Sequence, residues 1–129
     1  MGLDMSINDA AHQEIRYGSI LDCEIVYWRK ANAVHRWFCY TLPSGVGNCE
    51  HVPITGDHCA QLLHRCWRIS EDPSLAGELL PTQSGFFFGG TEYDTWYYDQ
   101  VESTIKQLLH LFDYVNKTPS CELYYEASW

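Results

Sequence analysis

A chain of 129 residues with 46% hydrophobic side chains has the size of one domain. It can bury about two thirds of its unfolded surface, so a core needs neither metal nor disulfide. The formal charge of −9 argues against nucleic acid and acidic membranes as partners, and no apolar run is long enough to span a bilayer. The start, Met1-Gly2-Leu3-Asp4-Met5, has neither the basic nor the apolar region of a secretory signal. The six cysteines (Cys23, Cys39, Cys49, Cys59, Cys66, Cys121) are therefore expected as reduced thiols in a cytoplasmic protein.

Gly2 to Ile7 alternates, with Leu3, Met5 and Ile7 on one face, and reads as a short strand. Residues 8–19 are polar and irregular and read as a loop. Cys23 to Tyr27, β-branched and aromatic, reads as a second strand. From about Arg29 the period changes: Ala31, Val34 and Phe38, widened by Trp37, form a helical stripe that should end before Pro43. His51 to Ile54 suits an edge strand because of Pro53. Thr55 is placed to cap a helix whose buried stripe is Cys59, Leu62, Leu63, Cys66 and Ile69.

Phe86-Phe87-Phe88 suits a strand covered on both faces, broken by Gly89-Gly90. Thr91 and Asp94 resemble a capping box with Asp in place of Glu. The next helix carries Tyr97, Val101, Ile105, Leu108, Phe112 and Val115 on one stripe and should end near Asn116. Cys121 to Trp129 alternates fully and is expected to pair in the sheet beside the first strand. With no repeats or linkers, residues 1–129 form one domain. The expected class is α+β, a small mixed sheet that includes both chain termini, packed by three helices.

Polar and aromatic residues that the apolar periods do not require gather in two segments. If residues from Trp28 onward are helical, Trp28, Asn32, His35 and Cys39 share a face, with Arg29 and Lys30 beside it. A Trp platform, an amide, an imidazole and two cations could hold a planar or anionic ligand. The other segment is Thr82, Gln83, Ser84 and, past the Gly pair, Thr91, Glu92, Tyr93 and Asp94. Glycines before a helix offer backbone donors, but no Lys follows and Glu92 and Asp94 oppose phosphate, so this is not a P-loop. Both segments are expected to meet, either as a ligand or partner surface or as an internal hydrogen-bond network.

Other chemistry is weaker. Cys49, His51, His58, Cys59, His64 and Cys66 are potential soft ligands, but their spacing fits no zinc motif, and no metal or cofactor is expected. Ser84 stands in Gln-Ser-Gly rather than in a nucleophile elbow, so a triad with His35 and Asp94 has no sequence support. No Lys or Arg occurs from Ile69 through Ile105, a stretch holding seven carboxylates from Glu71 to Glu102. That region either complements helix dipoles or attracts a basic partner.

The pattern Met1-Gly2-Leu3-Asp4-Met5, Tyr27-Trp28-Arg29-Lys30-Ala31-Asn32, Leu80-Pro81-Thr82-Gln83-Ser84-Gly85-Phe86-Phe87-Phe88-Gly89, Thr91-Glu92-Tyr93-Asp94 and Ser128-Trp129 resembles a family of small bacteriophage and prophage proteins. It departs from the family at Ser6, where an aromatic is usual, and at Pro43-Ser44-Gly45-Val46, where acidic residues are usual. The resemblance implies provenance rather than chemistry. It points to a non-enzymatic accessory protein in the bacterial host cytoplasm that binds and inhibits a host or anti-phage defence component. The alternative is binding or hydrolysis of a nucleotide-like molecule at the Trp28/His35 and Thr82–Asp94 surface, and a third reading is self-assembly through the aromatic surface.

Overall fold

The computed structural model describes residues 2–85 and 88–129. Four strands form one sheet: β1 (Asp4–Arg16), β2 (Ser19–Arg29), β3 (Val52–Pro53) and β4 (Leu123–Ser128), in the order β2-β1-β4-β3. The helices are α1 (Asn32–Thr41), α2 (Gly56–Glu71), the single turn α3 (Ala76–Leu79) and α4 (Thr95–Lys117). The result is the expected α+β fold, with β1 and β4 adjacent at its centre. All three strand pairings are antiparallel, so the sheet is not mixed.

The first strand runs much further than its apolar alternation. Residues 8–16, expected in a loop, continue β1 and pair with β2. Register shifts after Ile7 and after Asp9 break the period of two, as bulges do. The arm beyond them is exposed, so no buried face imposes a pattern there. Tyr17 and Gly18, at φ of 52° and 76°, close the hairpin in two residues, the geometry that follows the twist of its strands.

The register Asp4↔Arg29 holds β2 extended through Arg29. Lys30, at φ 55°, then turns the chain, and the helix begins at Asn32 rather than near Arg29. Trp28 is therefore a strand residue, and the expected helical face keeps only Asn32, His35 and Cys39. In α2 the Thr55 hydroxyl accepts the His58 N–H while the His58 ring takes the Thr55 N–H, a capping box closed by a histidine. In α4 the cap is Asp94, which accepts the Tyr97 N–H at 3.0 Å; Thr91 does not cap. The expected strand over Phe86–Phe88 lies outside the described residues except for Phe88, which sits in a bend.

One face of the sheet supplies Leu3, Met5, Ile7, Val26, Trp28, Tyr125 and Ala127 to the core. Helix α1 adds Val34 and Phe38, α2 adds Cys59, Leu62, Cys66 and Ile69, and α4 adds Val101, Ile105, Leu108 and Leu111. Leu63, Phe112 and Val115, expected in these stripes, are only half-buried. Phe38 stacks on Tyr125 with ring centroids 4.0 Å apart, and its burial contributes about 2–3 kcal/mol.

Candidate functional site

The two segments singled out in the sequence meet, and Asn32 joins them. At the start of α1 its side chain is buried beneath the loop that leads from α3 to α4. Its oxygen accepts the Gln83 N–H at 2.9 Å. Its amide nitrogen donates to the carbonyls of Phe88 at 2.9 Å and Gly90 at 2.8 Å. Two acceptors on one side and one donor on the other fix which way the amide points. Both donors of the amide are thus consumed by backbone.

The described limbs of the loop are fastened to one another and to α4. Thr82 donates its hydroxyl hydrogen to the Thr91 carbonyl at 3.0 Å, and its N–H approaches the Tyr93 hydroxyl at 3.3 Å. The Tyr97 hydroxyl donates to the Leu80 carbonyl at 2.7 Å. Bonds that bring distant loop positions together in this way mark a compact Ω-type loop. Gly89, at φ 85°, lies where a Cβ would come within 3.2 Å of the Lys30 side chain, so the close approach of loop and strand end depends on glycine there.

Trp28 and His35 do not present faces to solvent, which corrects the expectation of an open platform. The Trp28 indole N–H donates to the Thr104 hydroxyl at 2.9 Å, and the side chain is 2% exposed. Core strands demand such a partner whenever an indole is buried. The His35 ring lies 2.8 Å from the Tyr125 hydroxyl through Nδ1 and 3.4 Å from the Cys39 sulfur through Nε2. Phe88 and Trp129 close the cage at ring distances of 5.4 and 5.2 Å. Burial pushes the imidazole down to about 4, so it is neutral at pH 7.

The remaining candidates are dispersed over the rim. Arg29 pairs with Asp4 at 3.2 Å, with more than half of its side chain in solvent. Ser84, Thr91 and Glu92 are exposed, and the Gln83 side chain reaches only the neighbouring Ser84 carbonyl at 3.2 Å. Ser84, His35 and Asp94 make no hydrogen bonds with one another, since His35 faces Tyr125 and Asp94 caps α4. The crevice beside Asn32, walled by Ala31, Val34, Leu80, Trp96, Tyr97 and Val101, leaves about 10 Å³ for the centre of a water-sized sphere. That is room for a single water, not a nucleotide.

The soft-ligand segment is likewise used for structure. Cys59 and Cys66 are fully buried, His58 completes the α2 cap, and His51 pairs with Glu126 at 2.7 Å. Among the described residues no three His, Cys, Asp or Glu side chains converge as a metal cage would require.

Two arrangements have no counterpart in the sequence reading. The Asp9 carboxylate, wholly buried, accepts from the Ala11 and Glu122 N–H groups at 2.9 Å each and from the Tyr114 hydroxyl at 2.6 Å, and it holds His12 Nδ1 at 2.6 Å. Burial pushes its pKa up, but these four hydrogen bonds outweigh it and hold the carboxyl below its ordinary value. Its partners lie as far as 113 positions away, so no local pattern signals it. The second is the hairpin arm, whose end exposes Ile15 at 77%, Tyr17 at 96% and Ile20 at 71%. Ile15 and Ile20 stand at the end of a stretch read only as a polar loop, and it is the strand register that pairs them.

The chain thus defines an α+β protein built on a four-stranded antiparallel sheet, with an internally fastened loop and a projecting hairpin. Set against protein families, curated proteins and solved structures, it matches none.

Proposed function

We propose that this is a binding protein that acts without catalysis: a phage-type accessory protein that attaches to a host or anti-phage defence protein and inhibits it. The observation that carries the reading is the projecting hairpin, which holds three large apolar side chains in water at its end. Exposed apolar side chains clustered in this way are the usual mark of a protein contact. The nucleotide-like alternative loses support at the place proposed for it, because both amide donors of Asn32 are spent on backbone and Trp28 and His35 are buried.

The experiment is a plating assay in a bacterium carrying a defence system, with the chain expressed in trans. Restored plating of a restricted phage, absent with an empty vector, is the expected result across at least one defence system of a panel. A thermal-shift screen of nucleotides runs beside it. A nucleotide that raises the melting temperature of the protein, together with no relief anywhere in the panel, overturns the binding reading in favour of the small-ligand one.

A further inference from the structure

Strand β2 is the outer edge of the sheet. At its body end the edge is covered: the Tyr27 N–H donates to the Gln107 side chain of α4 at 2.9 Å. Cys23 still lies beside Tyr114 of α4, and from there β2 continues to Ser19 in the exposed arm, an edge strand with a neighbouring strand on one side only. A sheet edge of this kind templates pairing with another extended chain unless it is blocked. Ile15 and Ile20 face each other across the hairpin and so stand on the same side of it.

The side chains around this arm say what kind of chain would fit. A hollow of about 420 Å³ on the open face of the sheet is lined by Asn8, Gln13, Ile20, Asp22, Tyr124 and Glu126, together with Glu24 and Arg16. Its three carboxylates outnumber the one guanidinium and the one imidazole, that of His51, which is taken up by Glu126. Arg16 is already engaged, 2.8 Å from Glu14 and 3.4 Å from Glu24, and donates to the Asp22 carbonyl at 3.0 Å. Burial pushes the Glu24 carboxyl up, against the opposing pull of Arg16.

A second copy of the chain is a poor occupant of this edge. Each copy carries a charge of −9, and two-fold pairing of β2 with itself would bring Asp22 and Glu24 close to their own equivalents. Like charges facing one another across strands are destabilising. A basic strand reverses that sign. It would set cations against Asp22 and Glu24 and apolar side chains against Ile15 and Ile20, with backbone bonds supplying affinity.

We infer that the outer edge and open face of the β1–β2 hairpin dock an extended, basic segment of a partner protein, which adds to β2 as a further strand. This rests on the binding-protein reading above and names its surface and the chemistry of its partner.

The probe is a synthetic peptide of alternating Lys and Val, with a Glu–Val peptide as control, titrated against the whole protein. Amide hydrogen exchange reports where each binds. The Lys–Val peptide should bind and protect amides within residues 19–24, and the Glu–Val peptide should not. Binding should weaken roughly tenfold or more as salt rises from about 0.1 M to about 1 M, since screening shortens to about 3 Å. The double variant Ile15→Ser, Ile20→Ser should weaken it by roughly tenfold, near 1.4 kcal/mol, with an unchanged melting temperature. Should the double variant melt early, Ile20→Lys alone replaces it. Equal binding of both peptides, or protection elsewhere on the protein, overturns the inference. So does a concentration-dependent dimer that the tip variant abolishes, because the occupant is then a second copy. The plating assay separates the two claims. Relief by the wild-type chain that survives in the tip variant sinks the docking surface and leaves the function standing. No relief by the wild-type chain sinks the function, and the peptide data then judge the surface alone.

Discussion

The Gln83 N–H lies 2.9 Å from the side-chain oxygen of Asn32, and 51 positions of chain separate the two residues. The same side chain holds the Phe88 and Gly90 carbonyls, so one amide ties the start of α1 to both limbs of the loop between α3 and α4. Removing it leaves one backbone donor and two backbone acceptors without their partner. Asn32→Ala should cost about 2–4 kcal/mol, some of it recovered where water reaches the loop. Asn32→Asp should cost more, although it is nearly isosteric, because a carboxylate oxygen would then face two carbonyls. Chemical denaturation of both variants checks the order. If the Asp variant is as stable as the wild type, the amide is not the fastening.

Strand β4 lies inside the sheet, between β1 and β3, and carries Tyr125 and Ala127 into the core. Deleting residues 124–129 removes the partner of β1 from Asp4 to Asn8 and strands β3 without a neighbour. The truncated chain should show no cooperative thermal transition by circular dichroism. Retention of a sharp melt would mean that β4 only rests on a sheet that closes without it.

Periods of 2 and 3.6 were legible wherever one face of an element is buried. That covers the β1–β4 core, the Cys59–Ile69 stripe of α2 and the Tyr97–Leu108 stripe of α4. They fail for residues 8–16, because Asn8 and Asp9 are polar residues in buried places and the arm beyond them is too exposed to display an apolar alternation. They fail at Trp28 too, where an edge pairing with Met5 rather than a helical turn decides the conformation. The meeting of Asn32 with the Thr82–Asp94 segment was legible, since polar side chains without a periodic reason need partners somewhere. What those partners would be was not: all three are backbone groups of the loop, to which side-chain identity gives no clue. Asp9 was hidden more deeply, since its carboxylate is satisfied by Tyr114 and by the Glu122 N–H, both joined to it only by the fold.

All six cysteines are free thiols, and their settings differ sharply. Burial pushes Cys59 and Cys66 up to about 12, which leaves almost no thiolate at pH 8, whereas Cys49 is exposed. A maleimide should label Cys49 first and reach Cys59 and Cys66 only on unfolding. The melting temperature should be indifferent to reductant. Labelling of Cys66 in the native protein as fast as Cys49 would show that the α2–α4 interface opens on its own.

The hydroxyl of Tyr125 and Nδ1 of His35 sit 2.8 Å apart in the core, and the pair sets an acid limit on the fold. Burial pushes the phenol far above its ordinary range, so Tyr125 keeps its hydrogen and can donate it to Nδ1. The proton of the neutral imidazole then sits on Nε2, aimed at the Cys39 sulfur. Among the described residues the side chains against the ring are Tyr125, Cys39, Phe88 and Trp129, and none of these offers a charge to stabilise an imidazolium. The folded pKa of about 4 lies below the ordinary 6.5, so the unfolded chain binds the proton first. Stability is therefore full above pH 6.5 and is lost as the pH falls from 6.5 towards 4, by about 3 kcal/mol in all. Asp9 adds its own loss only further down, because its folded pKa is below the ordinary 3.8. In His35→Gln the loss between pH 6.5 and 4 should shrink, while Tyr125→Phe should keep it and lower stability by about 1–2 kcal/mol at every pH, the cost of an orphaned Nδ1. Denaturation curves at fixed pH across that window decide the matter. An unchanged slope in His35→Gln would remove the imidazole as its source.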